Sequence, residues 1–140
     1  SAIYLASTII SINWWHALNQ AHQYAIQQQF NVSIAIVDET GNLLAMKRMD
    51  GAAPISAIIC QDKAKCSALS TKPSKVFEDM IKNGRSGFLS ISNFVGLLEG
   101  GEPILYDGQL VGAVGVSGVK AFEDAAIAQW AIQTFLAQVK

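Results

Sequence analysis

Ile104-Leu105-Tyr106-Asp107-Gly108-Gln109-Leu110-Val111-Gly112-Ala113-Val114-Gly115-Val116-Ser117 reads as two extended runs closed by a two-residue turn. Asp-Gly tolerates positive φ at both central positions, so it favours the type I′ turn whose twist matches the flanking strands. The stretch predicts a hairpin over Ile104–Tyr106 and Gln109–Val116, ended by Ser117-Gly118. A second pair of runs lies upstream. Val32 to Asp38 is β-branched and apolar, Glu39-Thr40-Gly41-Asn42 carries turn chemistry, and Leu43 to Arg48 is again extended. Strands joined by tight turns must run antiparallel, so two hairpins predict one mainly antiparallel sheet.

The remaining segments are helical. From Ser11, read as an N-cap, to about Gln29, apolar residues recur at Trp14, Leu18, Ala21 and Ala25. Met49-Asp50-Gly51 breaks the second strand, and Pro54 suits the first turn of a helix reaching about Leu69. Ser74 is expected to cap a third helix, with Glu78 and Asp79 near its start and Gly84 and Gly87 at its end. A glycine-rich passage through Gly96, Gly100 and Gly101 leads to Pro103, and Phe122 to Val139 forms a last amphipathic helix. This order predicts an α+β sandwich and excludes a doubly wound nucleotide fold, because no strand–helix–strand crossover carries GxGxxG or GxxxxGK[ST].

Length and charge narrow the classes further. The 140 residues make one domain, 1–140. Only 15% of residues are charged, well below the ordinary ~25%, so part of the surface is expected to pack on copies of the same chain. A net charge of −1 with no basic cluster excludes the electrostatic footprint of nucleic-acid binding. No apolar run reaches the ~18 residues of a membrane span, and the opening stretch has neither a basic start nor an A-x-A site, which predicts a cytoplasmic protein. Cys60 and Cys66, six apart in a helix, point about 240° from each other and are expected to be reduced core or interface thiols.

Three segments together resemble the GlcG/HbpS family, which also supplies the C-terminal domain of PduO-type proteins. They are Val32-Ser33-Ile34-Ala35-Ile36-Val37-Asp38 with Gly41-Asn42-Leu43 and Arg48-Met49-Asp50-Gly51-Ala52; Gly100-Gly101-Glu102-Pro103-Ile104; and Gly108 with Val111 to Gly118 and Glu123-Asp124. The resemblance implies a profilin-like antiparallel sheet built from the two hairpins with helices on both sides, and symmetric oligomers. In several members it also implies haem held by a histidine of the first helix. Others belong to glycolate, diol or glycerol operons.

Two histidines meet that description. At 100° per residue, His22 falls between Leu18 and Trp15 on the apolar face, whereas His16 sits among Asn19, Gln20, Gln23 and Gln27. An imidazole beside tryptophan suits a haem iron, since the macrocycle needs apolar contact and the iron a neutral nitrogen. His22 is therefore the first candidate, for the metal as well as the cofactor, and His16 the second. Gly100, Gly101, Gly112, Gly115 and Gly118 offer close backbone approach to a ligand, with Ser117 beside the last, or else tight turns and helix packing. Arg48, Asp50 and Lys63 are candidates to line a pocket for an anionic group such as a propionate. Glu123 and Asp124 are most simply read as complementing the dipole of the last helix.

The first helix carries no Asp, Glu, Lys or Arg, its polar face being built from Asn, Gln, His and Ser: the first acid is Asp38 and the first Lys or Arg is Lys47. Solvated helices normally carry charge, whereas interfaces are depleted in Lys, Glu and Asp, so this helix is expected to pack on a neighbouring subunit. The leading function is a homo-oligomeric module that binds haem or a related tetrapyrrole, without a catalytic constellation. An enzyme or cobalamin-linked accessory acting on a small oxygenated metabolite, and a non-catalytic oligomeric scaffold, are the alternatives.

Overall fold

The computed structural model describes the backbone of residues 2–139 and the side chains of residues 14–139. The chain runs α1 (Ala2–Gln27), β1 (Ser33–Val37), β2 (Leu43–Arg48), α2 (Pro54–Ser70), α3 (Lys75–Lys82), a 3-10 turn (Ser86–Ser90), β3 (Gly101–Tyr106), β4 (Gln109–Ser117) and α4 (Ala121–Val139). Both expected hairpins form. Asp107 and Gly108 have φ of 51° and 75°, the signature of the type I′ turn. In the other turn the Asp38 carboxylate accepts the N–H groups of Thr40 and Asn42, each at 2.9 Å.

The hairpins join through their inner strands, giving the order β2-β1-β4-β3 with every neighbouring pair antiparallel. The chain therefore crosses from one edge of the sheet to the other through α2 and α3. Strand alternation splits the sheet's side chains between two layers. Ile34, Ile36, Val114 and Val116 face α1 and α4, meeting Leu18, Ala21, Ile127, Ala131 and Phe135 in the main core. Ala35, Val37 and Ala113 face α2 and meet Cys60, Ala64 and Ala68. Fully burying side chains such as Ile34 or Phe135 contributes about 1.5–3 kcal/mol each.

Two expectations about helix ends are corrected. α1 does not begin at Ser11, which lies inside the helix; no Gly or Pro stands between Ala2 and Ser11 to stop it, and a mid-helix serine costs only tenths of a kcal/mol. Ser74 precedes α3 but makes no capping bond, because its hydroxyl is engaged elsewhere. It donates to the Leu98 carbonyl and accepts the Gly101 N–H at 2.8 Å, tying the glycine-rich loop to α3.

Candidate functional site

α1 lies on the sheet through Ala17, Leu18, Ala21 and Ala25, three of them small enough for close approach. His22 sits about 40° around the helix from Leu18, at the rim of that buried face. Across from it runs β2, an edge strand, in which Lys47 pairs with the core residue Ile34 and so points to the α1 side. The two meet: Lys47 Nζ is 3.3 Å from His22 Nδ1. Beside them opens a cleft of about 340 Å³ lined by His22, Lys47, Arg48, Met49 and Asp50. A second cleft of about 330 Å³, lined by Arg48, Met49, Asp50 and Gly51, shares three of these residues.

The chain after β2 holds the cleft's shape. Arg48 Nε donates to the Ala52 carbonyl at 3.1 Å, closing the turn through Asp50 and Gly51. Gly51 takes a φ of 87°, and a side chain there would meet that of Asn31 at about 3.0 Å. His22 is partly buried; burial first, and the adjacent Lys47 second, hold its imidazole below the ordinary histidine range. It is therefore neutral at neutral pH. Its Nδ1 faces the ammonium, while Nε2 takes no hydrogen bond among the described residues.

Apolar side chains flank His22 on its solvent side. Trp15 and Ile26, about 10 Å before and 6 Å after it along the helix axis, are 59% and 55% exposed. The Trp15 ring is stacked on Trp14 with centroids 4.6 Å apart. The neutral imidazole thus lies between two exposed apolar side chains, with Lys47 and Arg48 at one border. His16 differs. Its ring is partly covered rather than solvated, and its Nε2 is shielded from water with no hydrogen-bond partner among the described residues. That nitrogen is closed to a ligand arriving from solvent.

The other sequence candidates do not join this cleft. Gly100 and Gly101 are buried on the α2 side of the sheet, opposite α1, where their backbone groups bond to Val116 and Ser74. A Cβ on Gly101 would lie 2.2 Å from the Lys63 carbonyl and one on Gly115 2.0 Å from that of Cys60. Gly101 and Gly115 thus let α2 press its backbone onto β3 and β4. Ser117 is buried at the end of β4, in the row Arg48–Ser33–Ser117, and Gly118 at φ 145° passes close to the Asn31 carbonyl.

Lys63 is corrected as a pocket residue. It is buried, donating to the Val116 carbonyl at 2.9 Å and to Asp124 Oδ2 at 3.2 Å. Asp124 is accordingly more than a dipole partner, since its other oxygen accepts the Val119 N–H at 3.1 Å. Cys60 and Cys66 are free and buried on opposite sides of α2, in separate clusters, and burial pushes both thiols up to about 12. Among the described residues no three His, Cys, Asp or Glu side chains gather into a metal site, and no helix is long and apolar enough to cross a membrane.

A larger apolar cleft, about 570 Å³, lies between α3 and the loop from Leu89 to Leu98. Its lining contains no histidine, cysteine or methionine to ligate iron. Sequence reasoning missed Lys47, the residue that touches His22. The signal was available in the hairpin: pairing β2 with β1 in the observed register puts Lys47 on the face of Ile34.

The model of a family described as haem-degrading, HbpS-like proteins matches residues 12–133. The chain is 47% identical to Protein GlcG of Escherichia coli (strain K12) over 93 residues, covering 66% of this chain and 69% of that protein. The structure of Klebsiella pneumoniae protein ORFY superposes with a TM-score of 0.84 at 26% identity, covering 90% of this chain and 89% of that one. A structure described as a PduOC:heme complex superposes with a TM-score of 0.80 at 27% identity, covering 86% and 90%.

Proposed function

The chain belongs to the GlcG/HbpS family, and from that premise we propose that it is a haem-binding protein whose iron ligand is His22. The observation that carries this reading is the neutral His22 imidazole, with Nε2 unpartnered among the described residues, set between exposed Trp15 and Ile26. The residues fit the group. His22 supplies the nitrogen, Trp15 and Ile26 supply apolar contact to a macrocycle, and Lys47 and Arg48 supply cations for its carboxylates. Asp50, at the same cleft, limits where those carboxylates settle. When bound, haem supplies an iron centre that takes a further ligand or an electron.

A homo-oligomer belongs to the same proposal, with α1 at the interface. It is supported by the uncharged polar face of α1 and by Trp15, Ile26 and Trp130, which α1 and α4 leave exposed. A macrocycle seated on His22 would then be covered by a neighbouring copy. Sedimentation at micromolar concentration tests this part, and a monomer would refute it.

The binding reading is tested by titrating hemin into the wild type, His22→Ala and His16→Ala while following the Soret band. Loss of the band's shift in His22→Ala with its retention in His16→Ala is the expected result. An unchanged titration in His22→Ala would remove the assignment.

A further inference from the structure

We infer that Lys47 is a latch on His22, which a carboxylate-bearing ligand releases and a ligand without carboxylates does not. The inference rests on the haem reading and adds to it a residue that sets which ligands the site accepts. An ammonium has only N–H groups to offer, so at 3.3 Å the His22 Nδ1 must be the acceptor. The imidazole proton then sits on Nε2. That is the wrong tautomer for ligation through Nε2, which needs its lone pair free and the proton on Nδ1. Ligation through Nδ1 is obstructed by Lys47 itself. Either route requires Lys47 to leave.

Its exit is built into the cleft. Lys47 is exposed, enters no ion pair among the described residues, and carries a flexible four-carbon stem. A carboxylate in the cleft shared with Arg48 is a stronger partner for an ammonium than a neutral ring nitrogen. Recognition of the anionic group thus withdraws Lys47 and lets the imidazole proton move to Nδ1. Anion recognition and His22 availability become one event.

The test compares hemin with hemin dimethyl ester, which keeps the iron and macrocycle and loses the carboxylates, in the wild type, Lys47→Met, Lys47→Arg and His22→Ala. The wild type is expected to prefer hemin over the ester. Lys47→Met should bind the ester about fivefold more tightly than the wild type, the net worth of one ordinary hydrogen bond, since solvent screens the charge on an exposed side chain. Lys47→Arg, another pure donor, should keep the wild-type preference. In the ligand-free protein, imidazole 15N shifts should show His22 protonated on Nε2 in the wild type and shifted on Nδ1 in Lys47→Met. Equal ester affinity in the wild type and Lys47→Met, or a wild-type His22 protonated on Nδ1, would overturn the latch. Retained hemin binding in His22→Ala would instead overturn the haem assignment beneath it.

Discussion

Lys63 Nζ stands 3.2 Å from Asp124 Oδ2 with the two side chains 4% and 3% exposed, an ion pair that ties α2 to the start of α4 through the end of β4. Burial pushes the Asp124 carboxyl up, against the opposing pull of Lys63 and the Val119 N–H. A pair in this setting is held by its partners, and removing one leaves the other charge stranded without water. Lys63→Met is therefore expected to cost about 3–5 kcal/mol of unfolding free energy. Lys63→Met with Asp124→Leu should recover part of that loss, because an apolar pair carries no charge desolvation cost but leaves the Val116 carbonyl and the Val119 N–H without their side-chain partners. Urea unfolding of the three proteins measures both. A single-variant loss under about 1 kcal/mol would show that the pair is hydrated in solution.

The approach of α2 to the sheet makes a sharper prediction about glycine. A methyl on Gly115 would lie 2.0 Å from the Cys60 carbonyl and 2.6 Å from the Ala64 nitrogen, both backbone atoms that cannot swing aside. Gly115→Ala is expected to cost at least about 3 kcal/mol or to prevent folding. Gly87 has nothing within 4 Å and no positive φ, so Gly87→Ala should stay within about 0.5 kcal/mol of the wild type. Comparable losses in the two variants would contradict the packing role given to the Gly100–Gly118 motif.

These two cases mark what was legible in the sequence. Both hairpins follow from local chemistry: Asp107-Gly108 dictates its turn, and Asp38 to Asn42 supplies an acceptor and donors within five residues. Pro54 sets the start of α2 for the same reason. The glycine motif was visible, yet whether it admits a ligand or a helix depends on α2, whose contact with Gly101 and Gly115 no local rule specifies. Lys63 and Asp124 are 61 residues apart, and Lys47 and His22 are 25 apart. In both cases the partner is chosen by strand register and helix docking. The histidine was legible as a candidate because helical periodicity is local; its lysine was not, because it arrives from another element.

A pH prediction follows from Glu78, which fastens α3 to the loop before β3. Burial alone would push its carboxyl up, but the Glu99 N–H at 2.7 Å and the Lys82 ammonium at 2.9 Å together hold it below the usual carboxylate range. A carboxyl whose folded value is depressed contributes stability above its unfolded value, about 4.3, and that contribution is lost as pH falls through the folded value. The wild type should therefore lose more stability than Glu78→Gln as pH is lowered from about 5 towards 3. Unfolding midpoints in urea across that range provide the measurement, and curves that run parallel would show Glu78 to be unpaired in solution.

Ser74 separates two roles that look alike in sequence. A serine just before a helix is expected to cap it, and its loss then loosens the first turn of that helix. Here the Ser74 hydroxyl bonds instead to Leu98 and Gly101, across 24 and 27 residues. Ser74→Ala would strand the buried Gly101 N–H and the Leu98 carbonyl, at about 1–3 kcal/mol. The loss should appear at the glycine loop. Amide exchange at Gly101 is expected to accelerate while the first turn of α3 keeps its protection, since the Phe77 and Glu78 N–H groups bond to the Ser74 backbone carbonyl, which the substitution leaves in place. If α3 frays while Gly101 stays protected, Ser74 is a cap after all. In that case the loop that β3 grows from is held by Glu78 and its bond to Glu99 rather than by this hydroxyl.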